Sequence, residues 1–137
     1  MSVENILKTH PRPPIADLAV LVRCIDECGE CEATCTICAD ASLAEDDVRT
    51  LVRCISLCLD CADACDATRR ILSRQTDPDP TVKRTAVEAC LAACRACAEE
   101  CERHAQHHEH CRLSAEECRR CESICQDLLA ALSAGSD

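Results

Sequence analysis

Cysteine is the residue in this chain that could do chemistry. There are 17 of them, and their spacing is regular. They run Cys24, Cys28, Cys31, Cys35, Cys38; then Cys54, Cys58, Cys61, Cys65; then Cys90, Cys94, Cys97, Cys101; then Cys118, Cys121, Cys125, with Cys111 seven residues ahead of the last group and in its phase. Steps of three and four keep residues on one face of a helix, and five such cysteines fall within an arc of about 80°. Each group is a stripe of thiols. Thiolate is a soft ligand that suits Cu(I), Zn(II) and iron–sulfur clusters.

The spacing chooses among these. Structural zinc uses four ligands, with Cys-x2-Cys on a turn, and iron–sulfur sites use isolated sets of four cysteines in loops. Here pairs such as Cys28/Cys31 and Cys94/Cys97 lie in mid-helix, and the columns are too long for either. Cu(I) accepts few ligands, and thiolate sulfur bridges two ions. Pairs one helical turn apart, about 6 Å, could each close on one Cu(I): 24/28, 31/35, 54/58, 61/65, 90/94, 97/101 and 121/125. Bridging throughout gives a capacity on the order of one Cu(I) per cysteine. One monovalent ion per thiolate also neutralises a charge that would be prohibitive to bury alone.

Four thiol stripes require four helices to carry them. Ala, Leu, Glu and Arg fill most other positions, which favours helix. The expected domain spans residues 15–132, after a leader over 1–14 that holds a short helix over Ser2–Lys8 and Pro11, Pro13 and Pro14, and before a frayed tail over 133–137. The first core helix is expected over Ile15–Ala41. Gly29 lies inside it as a close-packing site rather than a break. A capping box, Ser42-Leu43-Ala44-Glu45, is expected to start the second, whose stripe is Leu51, the four cysteines, Thr68 and Leu72. Asp79 caps the third, with Pro80 in its first turn, and its stripe continues from Val87 through the cysteines to His104 and His108. The fourth begins either at a second capping box on Ser114 or near Glu109. Short loops make neighbours antiparallel, so the fold class is an all-α, up-down-up-down four-helix bundle.

That topology polarises the tube. Leu18, Leu21, Thr68, Leu72, Val87, Leu128 and Leu132 gather at one end as an apolar plug. Cys38, Cys54, Cys101, His104, His108, His110 and Cys111 gather at the other, an open mouth where metal would enter. His104, His108 and His110 are candidate ligands there, because imidazole also suits copper; His107 points less directly inward, and His10 is a surface residue.

Composition excludes several classes. The net charge of −10 argues against nucleic acid, which wants a basic face. No apolar run approaches the roughly 20 residues that cross a bilayer, and the N-terminus carries no export signal, so the expected location is the cytoplasm. Thiols there stay reduced, and the odd count rules out complete disulfide pairing. A core of cysteine alone buries too little apolar area to explain the exclusion of leucine.

The four stripes together with His104-x3-His108-Glu109-His110-Cys111 resemble the bacterial four-helix-bundle copper storage proteins, in their cytosolic branch. The resemblance covers the chain from the leader to Leu132. It implies many Cu(I) ions held by the core thiols, metal admitted at one end, and a homotetramer. It also implies copper ions, copper chaperones or low-molecular-weight thiols as partners, and no enzymatic activity. Two departures stand near the mouth: Ser114 occupies a place where a thiol is expected, and Ala41 and Ser42 lack a cysteine found there in some relatives. The alternatives are a general sink for zinc, cadmium or silver, and a thiol redox enzyme using one low-pKa cysteine; no single cysteine here stands apart beside a base.

Overall fold

The computed structural model describes residues 2–134. Five helices form: α1 (Val3–Lys8), α2 (Leu18–Leu43), α3 (Val52–Leu72), α4 (Pro80–Glu102) and α5 (Glu109–Ala134), with a 3₁₀ turn over Val48–Leu51 ahead of α3. No strand occurs among the described residues. The four long helices close a ring in which α2 and α4 each pack against α3 and α5. This is the expected antiparallel bundle.

Its boundaries follow local chemistry. Ser2 caps α1 by accepting from the Asn5 amide, Asp17 caps α2 through the Val20 amide, and Asp79 caps α4 through the Val82 amide with Pro80 at its first turn. The cap is worth about 1 kcal/mol. Gln75 ties the leader down: its side-chain amide donates to the Leu72 carbonyl and its oxygen accepts from the Ile15 amide. The Lys83 ammonium donates to the carbonyls of Ile71 and Arg74, satisfying groups that the end of α3 leaves open.

Several expected boundaries move, among them the start of α2, from Ile15 to Leu18 behind the Asp17 cap. The capping box at Ser42 does not form, because α2 runs on to Leu43 and buries Ser42. With no glycine or proline to stop it, the buried face simply continues one turn past Cys38. α3 is entered instead through the 3₁₀ turn, whose Leu51 is fully buried. α4 ends at Glu102, so His104 and His108 lie in the α4–α5 connection and do not prolong its stripe. Ser114 sits inside α5, which begins at Glu109. Of the tail, Ser133 and Ala134 end α5, and 135–137 lie outside the described residues.

The plug is present without Leu18, which is only half-buried. Leu21, Leu72, Val87 and Leu128 are fully buried and Thr68 nearly so, with Leu132 packed against them. The other end is not open. Cys38, Cys54, Cys101 and Cys111 are all buried there, and the 3₁₀ turn packs against α2 and α3 with its Leu51 fully buried.

Candidate metal centre

All 17 cysteines are free thiols and all are buried. The helical period puts them on one face, and the bundle turns the four faces inward. The resulting contacts join helices more than turns of one helix. Cys31–Cys35 and Cys97–Cys101 approach to 3.9 Å within a helix. Between adjacent helices Cys54–Cys101 and Cys35–Cys118 lie at 3.5 Å, Cys58–Cys97 at 3.6 Å, and Cys61–Cys94 and Cys65–Cys90 at 3.7 Å. Thiols even span the diagonals of the ring, Cys28–Cys90 at 3.9 Å and Cys61–Cys118 at 4.0 Å. The interior is one layer of sulfur deep.

Sets of four sulfurs with every pair within 4.8 Å recur along the axis: Cys28/Cys90/Cys121/Cys125, Cys31/Cys65/Cys94/Cys121, Cys31/Cys35/Cys61/Cys118 and Cys38/Cys54/Cys58/Cys101. The second set shares Cys121 with the first and Cys31 with the third, as bridging thiolates must; the fourth, at the mouth, shares no sulfur with these three. A metal 2.3 Å from each sulfur needs edges of about 3.8 Å in a tetrahedron and about 4.0 Å in a trigonal plane, which the contacts above already provide.

In the metal-free core burial and thiol–thiol hydrogen bonds act on the sulfurs in opposite directions. Burial pushes every thiol up, but a thiolate surrounded by S–H donors is favoured. Cys35 is lowered to about 2, chiefly by Cys118 and then Cys31. Cys61 is lowered by the same two neighbours, while Cys31, within hydrogen-bonding reach of Cys35 and Cys61, is raised, chiefly by Cys118. In this set and in Cys38/Cys54/Cys58/Cys101 two thiols are lowered and two raised. Soft cations entering such sets displace the bridging protons.

The mouth is built differently. His110 Nδ1 lies 3.4 Å from Cys38 Sγ and 3.6 Å from Cys111 Sγ, a three-ligand set. Its Nε2 lies 2.9 Å from Glu45 Oε2. A carboxylate behind an imidazole fixes the ring and its tautomer for a metal. His108 stacks on His110 at 5.4 Å between centroids. Both nitrogens of His108 face carboxylates, Nδ1 at 2.5 Å from Glu45 and Nε2 at 2.9 Å from Asp47, and hydrogen bonding to Asp47 leads the causes that raise its pKa. His104 stands apart, with Nε2 4.0 Å from Glu100. His107 is exposed. His10 accepts from the Arg12 amide in the leader.

Glu45 is expected only as part of a helix start, and Asp47 is not singled out in the sequence. Their signal is two acids in the short connection that faces the histidine-rich connection in an antiparallel bundle. Nor is Leu51 expected as a cover over the mouth. Ser114 lies where the missing thiol was noted, its hydroxyl 3.6 Å from Cys101 and 3.9 Å from Cys35 and Cys58.

A family model described as copper storage protein matches residues 18–130. Solved structures agree. The chain is 48% identical to a Streptomyces lividans copper storage protein loaded with 10 copper equivalents, covering 96% of this chain and all of that one, with a TM-score of 0.93. It is 52% identical to a cytosolic copper storage protein from Streptomyces lividans holding five coppers, covering 82% of this chain and 93% of that one, with a TM-score of 0.81. A histidine-to-alanine mutant from the same organism is 50% identical, covers 85% of this chain and 98% of its own, and has a TM-score of 0.84. A comparison with curated proteins gives no match.

Proposed function

The chain belongs to the copper storage protein family, and we propose that it stores or buffers many Cu(I) ions in the cytosol on the thiolates lining its bundle. The observation that carries this is the series of four-sulfur groups along the axis, three of them overlapping through Cys31 and Cys121. Structural zinc takes four ligands in a closed tetrahedron; shared sulfurs at this density suit a monovalent ion that accepts fewer, bridging ligands. The ligands are the 17 cysteines, with His110 joining Cys38 and Cys111 at the mouth, where metal enters. His108 and His104 flank that point as capture groups. Capacity is on the order of one Cu(I) per cysteine, from the ligand-to-charge balance. Residues 15–132 form the binding domain, with the leader as an appendage and a homotetramer as the assembly. The role is storage rather than catalysis, since the thiols act collectively; the two beside His110, Cys38 and Cys111, belong with it to one metal-ligand set.

Anaerobic titration of the reduced protein with Cu(I), followed by elemental analysis, tests this. Uptake well beyond ten equivalents is expected from the number of thiols in shared sets. A plateau at one or two equivalents refutes storage, and zinc saturating near one ion per cysteine refutes the preference for copper.

A further inference from the structure

The thiol column is not equally continuous on all four helices. Midway between the mouth and the interior, α2 supplies Cys35, α3 Cys58 and α4 Cys97, but α5 supplies Ser114, fully buried with its hydroxyl among Cys35, Cys58 and Cys101. Resting on the copper-storage reading above, we propose that Ser114 breaks the ladder on α5 and confines the passage of Cu(I) from mouth to interior to the opposite wall, across Cys58 and Cys97.

A serine hydroxyl is a hard group that stays protonated near neutrality, so it offers Cu(I) neither a soft donor nor a compensating charge. Along α5 the neighbouring thiols are Cys111 and Cys118. Seven residues separate them by about 10.5 Å along the axis, too far for one ion to touch both. The other wall has no such gap. Cys101 lies 3.7 Å from Cys58 and 3.9 Å from Cys97, and Cys58 and Cys97 lie 3.6 Å apart. Cys97 then lies 4.0 Å from Cys35, which is 3.5 Å from Cys118 in the next set inward. At each transfer one Cu–S bond forms as another breaks. Copper remains Cu(I), no electron moves, and the proton leaving the accepting thiol returns to the vacated thiolate. The serine thus leaves α5 out of the passage, and Cys97 and Cys58 carry it inward to Cys35.

The test is anaerobic stopped-flow loading of the reduced full-length protein from Cu(I)–bicinchoninate, following loss of the chelate colour. The wild type is expected to fill in two phases, mouth before interior. Cys97→Ser should slow the second phase several-fold. Ser114→Cys should speed it, Ser114→Ala should not, and Cys97→Ser combined with Ser114→Cys should recover speed by opening the α5 wall. Circular dichroism and gel filtration check the fold, and the Ser114→Cys arm stands even if Cys97→Ser fails to fold. A second phase unmoved by Ser114→Cys, or equally sped by Ser114→Ala, overturns the relay. A wild type that stops at one or two equivalents overturns the storage reading instead.

Discussion

His110 is held from two sides, by Glu45 on Nε2 and by the Cys38 and Cys111 sulfurs on Nδ1. Removing a carboxylate of this kind typically costs 10–100-fold in metal affinity. Glu45→Ala should therefore weaken the first Cu(I) bound at the mouth by roughly that factor and leave total capacity close to that of the wild type. Competition with a chelator at substoichiometric copper, set against a full titration, measures both. His108 makes a second prediction, in the metal-free protein. Its pKa is raised above 6.5, by Asp47 first, while Asp47 and Glu45 are lowered, by His108 and His110 respectively. The histidine's share of stability is fully present below 6.5 and lost as pH rises through the raised value; the acids' share is present above their ordinary range and lost as pH falls through the lowered values. Amide protection over residues 44–51, with the intrinsic rise of exchange with pH divided out, should consequently be greatest in mildly acidic solution and fall at alkaline pH. His108→Ala should remove the alkaline limb, and a profile that survives that substitution would show that another group holds the loop.

At the scale of elements, α2 contains Gly29, where an added Cβ would meet the Arg69 side chain at 3.5 Å, an ordinary contact. Glycine in mid-helix costs roughly 0.5–1 kcal/mol against alanine, so Gly29→Ala should stabilise the metal-free bundle by about that much in urea denaturation. Loss of stability would mean that Arg69 cannot shift from its ion pairs with Glu32 and Asp66. The buried Lys83 works in the opposite direction. Its ammonium holds the Ile71 and Arg74 carbonyls at the end of α3, and Lys83→Ala leaves them without that donor at a cost of about 1–3 kcal/mol. A matched drop in the urea midpoint with an unchanged slope is the expected signature. Both sites lie away from the thiols and should leave copper capacity as it is.

At the scale of the whole molecule, the core has few large apolar side chains beyond Leu21, Leu51, Leu72, Leu128 and Val87, so metal must supply cohesion that leucine would otherwise give. A ligand bound only by the folded state at a thousand times its Kd adds about 4 kcal/mol, which raises Tm by on the order of 10 °C for a domain of this size. Many filled sites should move it further. Scanning calorimetry of the metal-free and loaded protein should show a large rise with copper; equal transitions would mean that the ions sit outside the sulfur-lined core.

The period of the cysteines alone determined four helices, their inward faces and the soft chemistry of the interior, because a repeat of three and four admits one helical face and four such faces close only on each other. The caps at Asp79 and Pro80 and the apolar end were equally legible, being set by residues adjacent in the chain or by topology. The mouth was not. Whether α2 stops at Ser42 depends on what its next turn buries, and the pairing of His108 and His110 with Glu45 and Asp47 joins two connections some 60 residues apart. Closure over the thiols by Leu51 likewise exists only once α2 and α3 meet. The same holds for the repeated 4-3-4 step itself. On the sequence it pairs cysteines one turn apart, whereas in the bundle the shorter sulfur contacts run between helices, because side chains from four inward faces meet at the axis before successive turns of one face meet each other.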